Sequence, residues 1–288
     1  MSRLAEILAG PFLGLGLGID VHGEVPDWRA LLARPERGFD FLEVFTRGDG
    51  GIAAQVREHA GPEMPLIYHH EGFELVYPGP LSAPSVEAAA VNLEVLGAPW
   101  CVEELAYREL DGRYLDFFMP AVLSEESARV AVEKIRAVNE RLGVLVTPEN
   151  PPYQLPVGDM HLLDYMAFIA DGAEVPLILD LGHLHSYQLC FGADPLAGLE
   201  KLPLDRVIEL HVAGASYVDV DGVTIYEDSH GGDLIPETLL DMLAEVGPRC
   251  ENLKAVTVEV EDAPEARVVD EVARVRAVMA PWEVNQCL

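Results

Sequence analysis

The sequence predicts an α/β fold, a single (β/α)8 TIM barrel spanning residues 1–288. Three observations carry this expectation. Apolar strand-like runs alternate with helix-period segments along the whole length, in eight successive pairs. The run Leu177-Ile178-Leu179 is continuously apolar, the pattern of a strand buried on both faces in a parallel sheet covered by helices. Acidic residues and histidines recur where these runs stop, and barrel enzymes place their chemistry at strand carboxyl ends. The 288 residues suit this architecture, since α/β barrels use roughly 250 residues as one unit. No linker or low-complexity tract divides the chain. An open doubly wound sheet is the alternative arrangement of the same elements.

Leu13 to Asp20 reads as the first strand, with a helix starting near Pro26-Asp27-Trp28. Phe39 to Phe45 is the second strand, followed by a helix near Ile52 to Ala60. Met64 to His70 is the third, followed by an Ala- and Leu-rich helix from Ser85 to Leu96. Trp100 to Leu105 is the fourth; Ser124 then caps a helix that runs to Leu142 and stops at Gly143. Gly143 to Pro148 and a helix over Met160 to Ala170 form the fifth pair. The sixth strand is Pro176 to Leu181, with His183 and His185 in a short turn and a short helix near Pro195 to Leu202. Val207 to Val212 pairs with a helix from Pro236 to Val246, and Leu253 to Val260 with a closing helix from Pro264 to Met279.

Composition narrows the function. With 19 Lys and Arg against 49 Asp and Glu, the formal charge is −30. That argues against nucleic-acid binding, which demands a basic face, and suits metal cations or a basic peptide. Most of these carboxylates are expected on a solvated surface. Cys101, Cys190, Cys250 and Cys287 are scattered without a C-x-x-C pair, as in reduced thiols. Residues 1–10 lack the plan of a signal peptide, and no run approaches a membrane span, so a soluble, cytoplasmic protein is expected.

The strand ends hold the chemistry. They present Glu43, then His69-His70-Glu71, Glu103-Glu104, Glu149-Asn150, Asp180 with His183, His211, and Glu259 with Glu261; a loop adds Asp228 and His230. So many acids and imidazoles, if they converge, need cations to coexist. Imidazole mixed with carboxylate favours iron, manganese or zinc over calcium or magnesium, and the ligand number exceeds what one ion takes. A lone buried histidine is more often a hydrogen-bonded core residue. His59 and His161, in helical patterns, fit that description, and His22 and His185 are open. Gly14-x-Gly16-x-Gly18 lies within a strand and lacks the spacing of a nucleotide loop. No G-x-S-x-G elbow occurs.

The motifs Phe41-Leu-Glu43-Val, Tyr68-His69-His-Glu-Gly72, Pro148-Glu149-Asn150, Leu179-Asp180-Leu, Glu209-Leu-His211-Val-Ala-Gly214, Asp228-Ser-His230-Gly231 and Val258-Glu259 resemble, in this order, the multinuclear non-heme iron-dependent oxidative enzymes of methanobactin-type peptide biosynthesis. The resemblance runs from about Leu15 to Asp262. It implies a barrel holding two or three irons, with ligands at His69, Glu149, Asp180, His211, Asp228, His230 and Glu259. Two positions depart from the family pattern: Glu104 stands where a histidine is usual, and His183 where an asparagine is usual; both keep a donor and are expected ligands. Glu43, His70 and Asn150 are expected at the substrate. The implied activity is O2-dependent oxidation, with Fe2+/Fe3+ ions, of a cysteine in a ribosomally made precursor peptide. A leader-binding partner protein is implied too. Two other functions fit the strand ends: a divalent-metal sugar isomerase or hydrolase of the xylose isomerase-like class, and a non-catalytic metal store or scaffold.

Overall fold

Two residues of chain separate the floor of this barrel from its chemistry. Inside the ring, Phe41, Ile67, Val102, Ile178 and Ala255 belong to one buried apolar cluster with Trp100 and Ile208. In a strand, residues i and i+2 share a face. The next inward positions on the same strands are therefore Glu43, His69, Glu104, Asp180 and Thr257, all buried. An apolar plug thus supports a polar layer at the carboxyl ends.

The elements come from a computed structural model, which describes residues 2–48, 50–110, 113–230 and 232–286. Gly231 of the Asp-x-His-Gly motif and Cys287 lie outside these residues. In chain order the strands are β1 (Gly14–Asp20), β2 (Phe41–Phe45), β3 (Leu66–His69), β4 (Cys101–Glu104), β5 (Ala106–Leu110), β6 (Arg113–Pro120), β7 (Val146–Glu149), β8 (Leu177–Asp180), β9 (Val207–Ala213), β10 (Ala215–Val220), β11 (Val223–Asp228) and β12 (Ala255–Glu259). The ring order β1-β12-β9-β8-β7-β4-β3-β2 closes on itself. Pairing is parallel throughout, with Gly18 opposite Glu259 where first and last strands meet. This is the expected TIM barrel; six of its eight strands fall within a predicted run, and β7 and β9 each extend one residue beyond theirs, to Glu149 and Ala213.

The helices are α1 (Arg3–Leu8), α2 (Trp28–Leu32), α3 (Gly51–Ala60), α4 (Ala83–Leu96), α5 (Glu125–Asn139), α6 (Leu162–Ala173), α7 (Leu181–Leu189), α8 (Glu237–Val246) and α9 (Glu265–Gln286). Ser124 caps α5 as expected, its Oγ accepting from the Ser127 N–H at 3.2 Å. No described helix is long and apolar enough to cross a membrane. Three features differ from the sequence expectation. The β5–β6 and β10–β11 antiparallel hairpins fill stretches read as loops. Helix α1 was not expected. And His183 and His185 lie on α7 rather than in a turn, because Asp180 caps that helix by accepting from the His183 N–H at 2.6 Å.

The glycines of β1 have a steric cause. A Cβ at Gly16 would come within 2.1 Å of the Phe41 ring, and one at Gly18 within 3.1 Å of the Glu259 side chain. Gly16→Ala is therefore expected to destabilise the fold by about 1–3 kcal/mol, as overpacking of a filled interior does, measurable by denaturant titration.

Candidate metal centre

The polar layer converges as the strand-end pattern requires. His211, fully buried on β9, places Nδ1 at 3.1 Å from Glu149 Oε1 and 3.3 Å from Glu259 Oε1. On the neighbouring side, Asp228 Oδ2 lies 2.7 Å from His183 Nε2 and 3.0 Å from His230 Nε2. His183 also approaches Glu104, Glu149 and Asp180 through Nδ1, at 3.8, 3.7 and 3.7 Å. His69 Nε2 is 4.0 Å from Glu149 Oε2. All nine expected ligands thus gather in one chamber. A cavity of about 330 Å3, lined by His69, Glu104, His230 and Glu259 among others, opens onto it.

Which ring nitrogens can take an ion follows from their outer partners. A histidine ligand gives a lone pair to the metal and its other N–H to an acceptor. His69 Nδ1 lies 2.9 Å from Glu43 Oε1, His183 Nδ1 lies 2.7 Å from the Asn150 carbonyl, and His230 Nδ1 lies 3.0 Å from Glu261 Oε2. A carbonyl only accepts, so His183 Nδ1 carries a proton and Nε2 is the nitrogen left for an ion. The grouping of His183 with Glu104 and Glu149 through Nδ1 is excluded by the same argument. His211 Nε2 faces Glu43 Oε2 at 3.1 Å and Glu209 Oε1 at 3.6 Å, oblique for a hydrogen bond but between two carboxylates. Glu209 is already engaged, accepting from Trp100 Nε1 at 2.8 Å and Thr257 Oγ1 at 2.7 Å. That deep side is a support, and His211 presents Nδ1 to the chamber.

The chamber fits a metal by its own unmet demands. His69 Nε2, Glu149 Oε2, Asp180 Oδ2, His211 Nδ1, Asp228 Oδ1 and Glu259 Oε2 are buried with no hydrogen-bond partner among the described residues. Buried polar atoms are nearly always satisfied, so six orphans pointing into one space demand a shared partner. The donors are imidazole nitrogen and carboxylate oxygen, the set that first-row transition metals accept. Residue triads able to hold an ion include His183-Asp228-His230 and Glu149-His211-Glu259.

Protonation points the same way. Burial pushes Glu104 up to about 8, with the Glu149 charge adding to it. Burial likewise pushes Asp180 up to about 7, with Glu259 and Glu149 adding to it. Burial opposes charge on His69, but its hydrogen bond to Glu43 and the surrounding carboxylates prevail and hold it near 10. In each case the folded value exceeds the unfolded one, so the metal-free fold keeps protons that the unfolded chain releases. Its stability therefore falls as pH rises, from about 4 to 8 for the acids and above about 6.5 for His69. The depressed carboxylates, Glu43 and Asp228, work in the opposite sense but only at pH below the usual carboxylate range. The Tm of the metal-free protein is thus expected to drop between pH 6 and 9, and added metal to remove most of that slope in a calorimetric series.

The expected substrate residues need correction. Glu43 is fully buried beneath the imidazoles, where it orients His69 and His211 and no substrate reaches it. Asn150 is also fully buried; its amide clamps β8, donating to the Asp180 carbonyl at 2.9 Å and accepting from the Asp180 N–H at 3.0 Å. His70 turns from the chamber into a network with Tyr68 Oη at 2.8 Å and Ser85 Oγ at 2.7 Å. Of the remaining histidines, His22 lines the cavity and contacts Thr46 Oγ1 at 3.0 Å, whereas His185 meets Tyr217 Oη at 3.2 Å. His59 and His161 stay outside, His161 capping α6. The outer role of Glu261 was missed, although its place two residues beyond Glu259 puts it on the same face.

Residues 14–280 match the family described as RiPP precursor modification enzyme MbnB/TglH/ChrH, where RiPP denotes a ribosomally synthesised, post-translationally modified peptide. The chain belongs to this family. Membership brings a role in modifying a precursor peptide. Among curated relatives, a UPF0276 protein of Pseudomonas aeruginosa (strain UCBPP-PA14) is 29% identical over 226 residues, covering 76% of this chain and 75% of its own. Another, from Anaeromyxobacter sp. (strain Fw109-5), is 26% identical over 248 residues, covering 84% and 86%. Similar solved structures include endonuclease IV from Thermus thermophilus, with TM-score 0.57, 19% identity and coverage of 93% and 99%. A xylose isomerase-like TIM barrel protein from Mycobacterium smegmatis in complex with magnesium has TM-score 0.56, 13% identity and coverage of 96% and 98%. At such identities these structures speak for the fold alone.

Proposed function

We propose that this member of the family is a cytoplasmic iron- and O2-dependent oxidoreductase, one barrel domain acting on a cysteine of its precursor peptide. The observation that carries the reading is the set of six orphaned donor atoms converging in one chamber from five barrel strands and the β10–β11 hairpin. His69, Glu104, Glu149, Asp180, His183, His211, Asp228, His230 and Glu259 are the assigned ligands, for two or three ions. Iron held there would acidify a substrate thiol and supply electrons to O2.

The chain's own residues do the rest. Glu43, Glu261 and the Asn150 carbonyl hold the imidazoles in the tautomers that face the chamber. The Phe45 ring, edge-on to His69 with centroids 4.5 Å apart, keeps that imidazole from turning and narrows water access from its side. In the metal-free chain Glu104, raised to about 8, keeps a proton beside the cavity, and it would give that proton up on taking an ion. The precursor peptide is the substrate, and a leader-binding partner protein is part of the proposal.

Protein expressed with added iron is expected to retain two or three irons per chain by elemental analysis, with Mössbauer lines of non-heme iron. It is expected to consume O2 only with a cysteine-containing precursor. Full activity with zinc or manganese under anaerobic conditions would overturn the proposal.

A further inference from the structure

A second cavity of about 480 Å3, with Tyr77, Ser85, Arg108 and Tyr114 in its lining, adjoins the metal chamber. Arg47 and Glu71 line both spaces, so they form the wall between them. Three segments meet there: the loop after β2 carries Arg47, the loop after β3 carries Glu71, and β5 carries Arg108. Each oxygen of Glu71 has its own guanidinium. Oε2 accepts from Arg47 Nε at 2.8 Å and from Arg47 Nη2, while Oε1 lies 2.5 Å from Arg108 Nη2. Aromatic faces fix both cations, with Arg108 at 3.3 Å from the Phe118 centroid and Arg47 at 4.9 Å from that of Tyr114.

The pair has donors to spare. A guanidinium carries five N–H donors, and one carboxylate cannot occupy two guanidiniums. Arg108 Nε is buried with no hydrogen-bond partner among the described residues. The nearby acids are engaged elsewhere or face solvent: Glu103 accepts from the Gly72 and Phe73 N–H groups, Glu74 from the Arg108 N–H, and Glu109 is exposed. Meanwhile the chamber's own side chains are mostly acidic. Of the described residues lining it, Arg47 is the sole Lys or Arg, against Asp20, Glu71, Glu104, Glu259 and Glu261. A peptide carboxylate close to the reacting residue would find its side-chain counter-charge in these two guanidiniums.

We propose that Arg47 and Arg108 form a carboxylate-recognition site in this wall, occupied by Glu71 until a carboxylate of the incoming peptide displaces it. The anion site stands on the two guanidiniums; that its ligand is a peptide rests on the function proposed above. Displacing Glu71 would also join the two cavities, giving an extended chain a path from the second space to the metals. The carboxylate is either the C-terminus of the peptide or an Asp or Glu side chain.

Four dansyl-labelled Ala-Gly pentapeptides separate these sources: a free C-terminal acid, its amide, an internal-Asp amide and its Asn counterpart. Anisotropy titrations use metal-loaded protein. Glu71→Gln is expected to bind at least one acidic peptide about tenfold tighter than its neutral partner, and about tenfold tighter than wild type does, the yield of charge-assisted hydrogen bonds. Adding Arg108→Ala should erase the preference. The acid that shows it identifies the source. A Glu71→Gln protein that binds acidic and neutral peptides alike, or neither, overturns the inference. If that variant fails to fold, the acid-to-amide ratio of wild type against Arg108→Ala decides instead: loss of the ratio supports the site, and equal ratios overturn it. Metal content separates the two proposals, because wild-type protein lacking iron would sink the oxidase while leaving the acid preference intact.

Discussion

His211→Ala is expected to lower bound metal below about a tenth of the wild-type content and to reduce turnover by ~10^3-fold or more. No other assigned imidazole is as deep: it is fully buried, with carboxylates of Glu149 and Glu259 on its chamber side and of Glu43 and Glu209 behind it. The barrel should persist, since β9 is hydrogen-bonded in parallel register to β8 and β12. Removing the imidazole nevertheless leaves four carboxylates crowded together without it. The variant should therefore unfold several degrees below wild type at pH 8 and recover part of that loss at pH 6, where Glu209, raised by burial to about 7, holds its proton. Elemental analysis and scanning calorimetry at both pH values check this. Wild-type metal content in the variant would show that His211 is not a ligand.

The second large effect is expected at a residue that touches no metal. Glu43 gives one oxygen to His69 Nδ1 and turns the other to His211 Nε2. A glutamine in its place has one acceptor and one donor, so both imidazoles can no longer present an N–H to it. One ring must change tautomer or swing away. Losing an outer partner costs about 10–100-fold in metal affinity, and here two ligands depend on one carboxylate. Glu43→Gln is expected near ~100-fold, and Glu261→Gln, which frees only His230, near ~10-fold. Chelator competition measures both. Equal losses would mean that Glu43 does not serve two rings.

Much of this was legible because the physics is repetitive. Strand-like apolar runs marked the barrel strands, and the period-2 alternation brought Glu43, His69, Glu104 and Asp180 to one end of the ring. What sequence cannot separate is an inner ligand from its outer support. Glu43 and Glu149 both sit inward at a strand end, and only distances reveal that one lies under the imidazoles and the other faces the chamber. Asp180 hid a helix for a related reason: a carboxylate at a strand end also makes a good N-cap, and α7 begins on it without a break. The hairpins escaped because their strands are solvated. β10 runs from a buried Ala215 to four exposed residues, so no apolar run announces it.

One consequence of ring closure concerns synthesis. Glu43 enters the growing polypeptide early, while Glu259 arrives on the last strand of the chain, the one that closes the ring against β1. A nascent or truncated chain lacking β12 has neither Glu259 nor a closed wall to hold its histidines in place. Metal retention should therefore report complete translation, and unfinished chains should hold little metal.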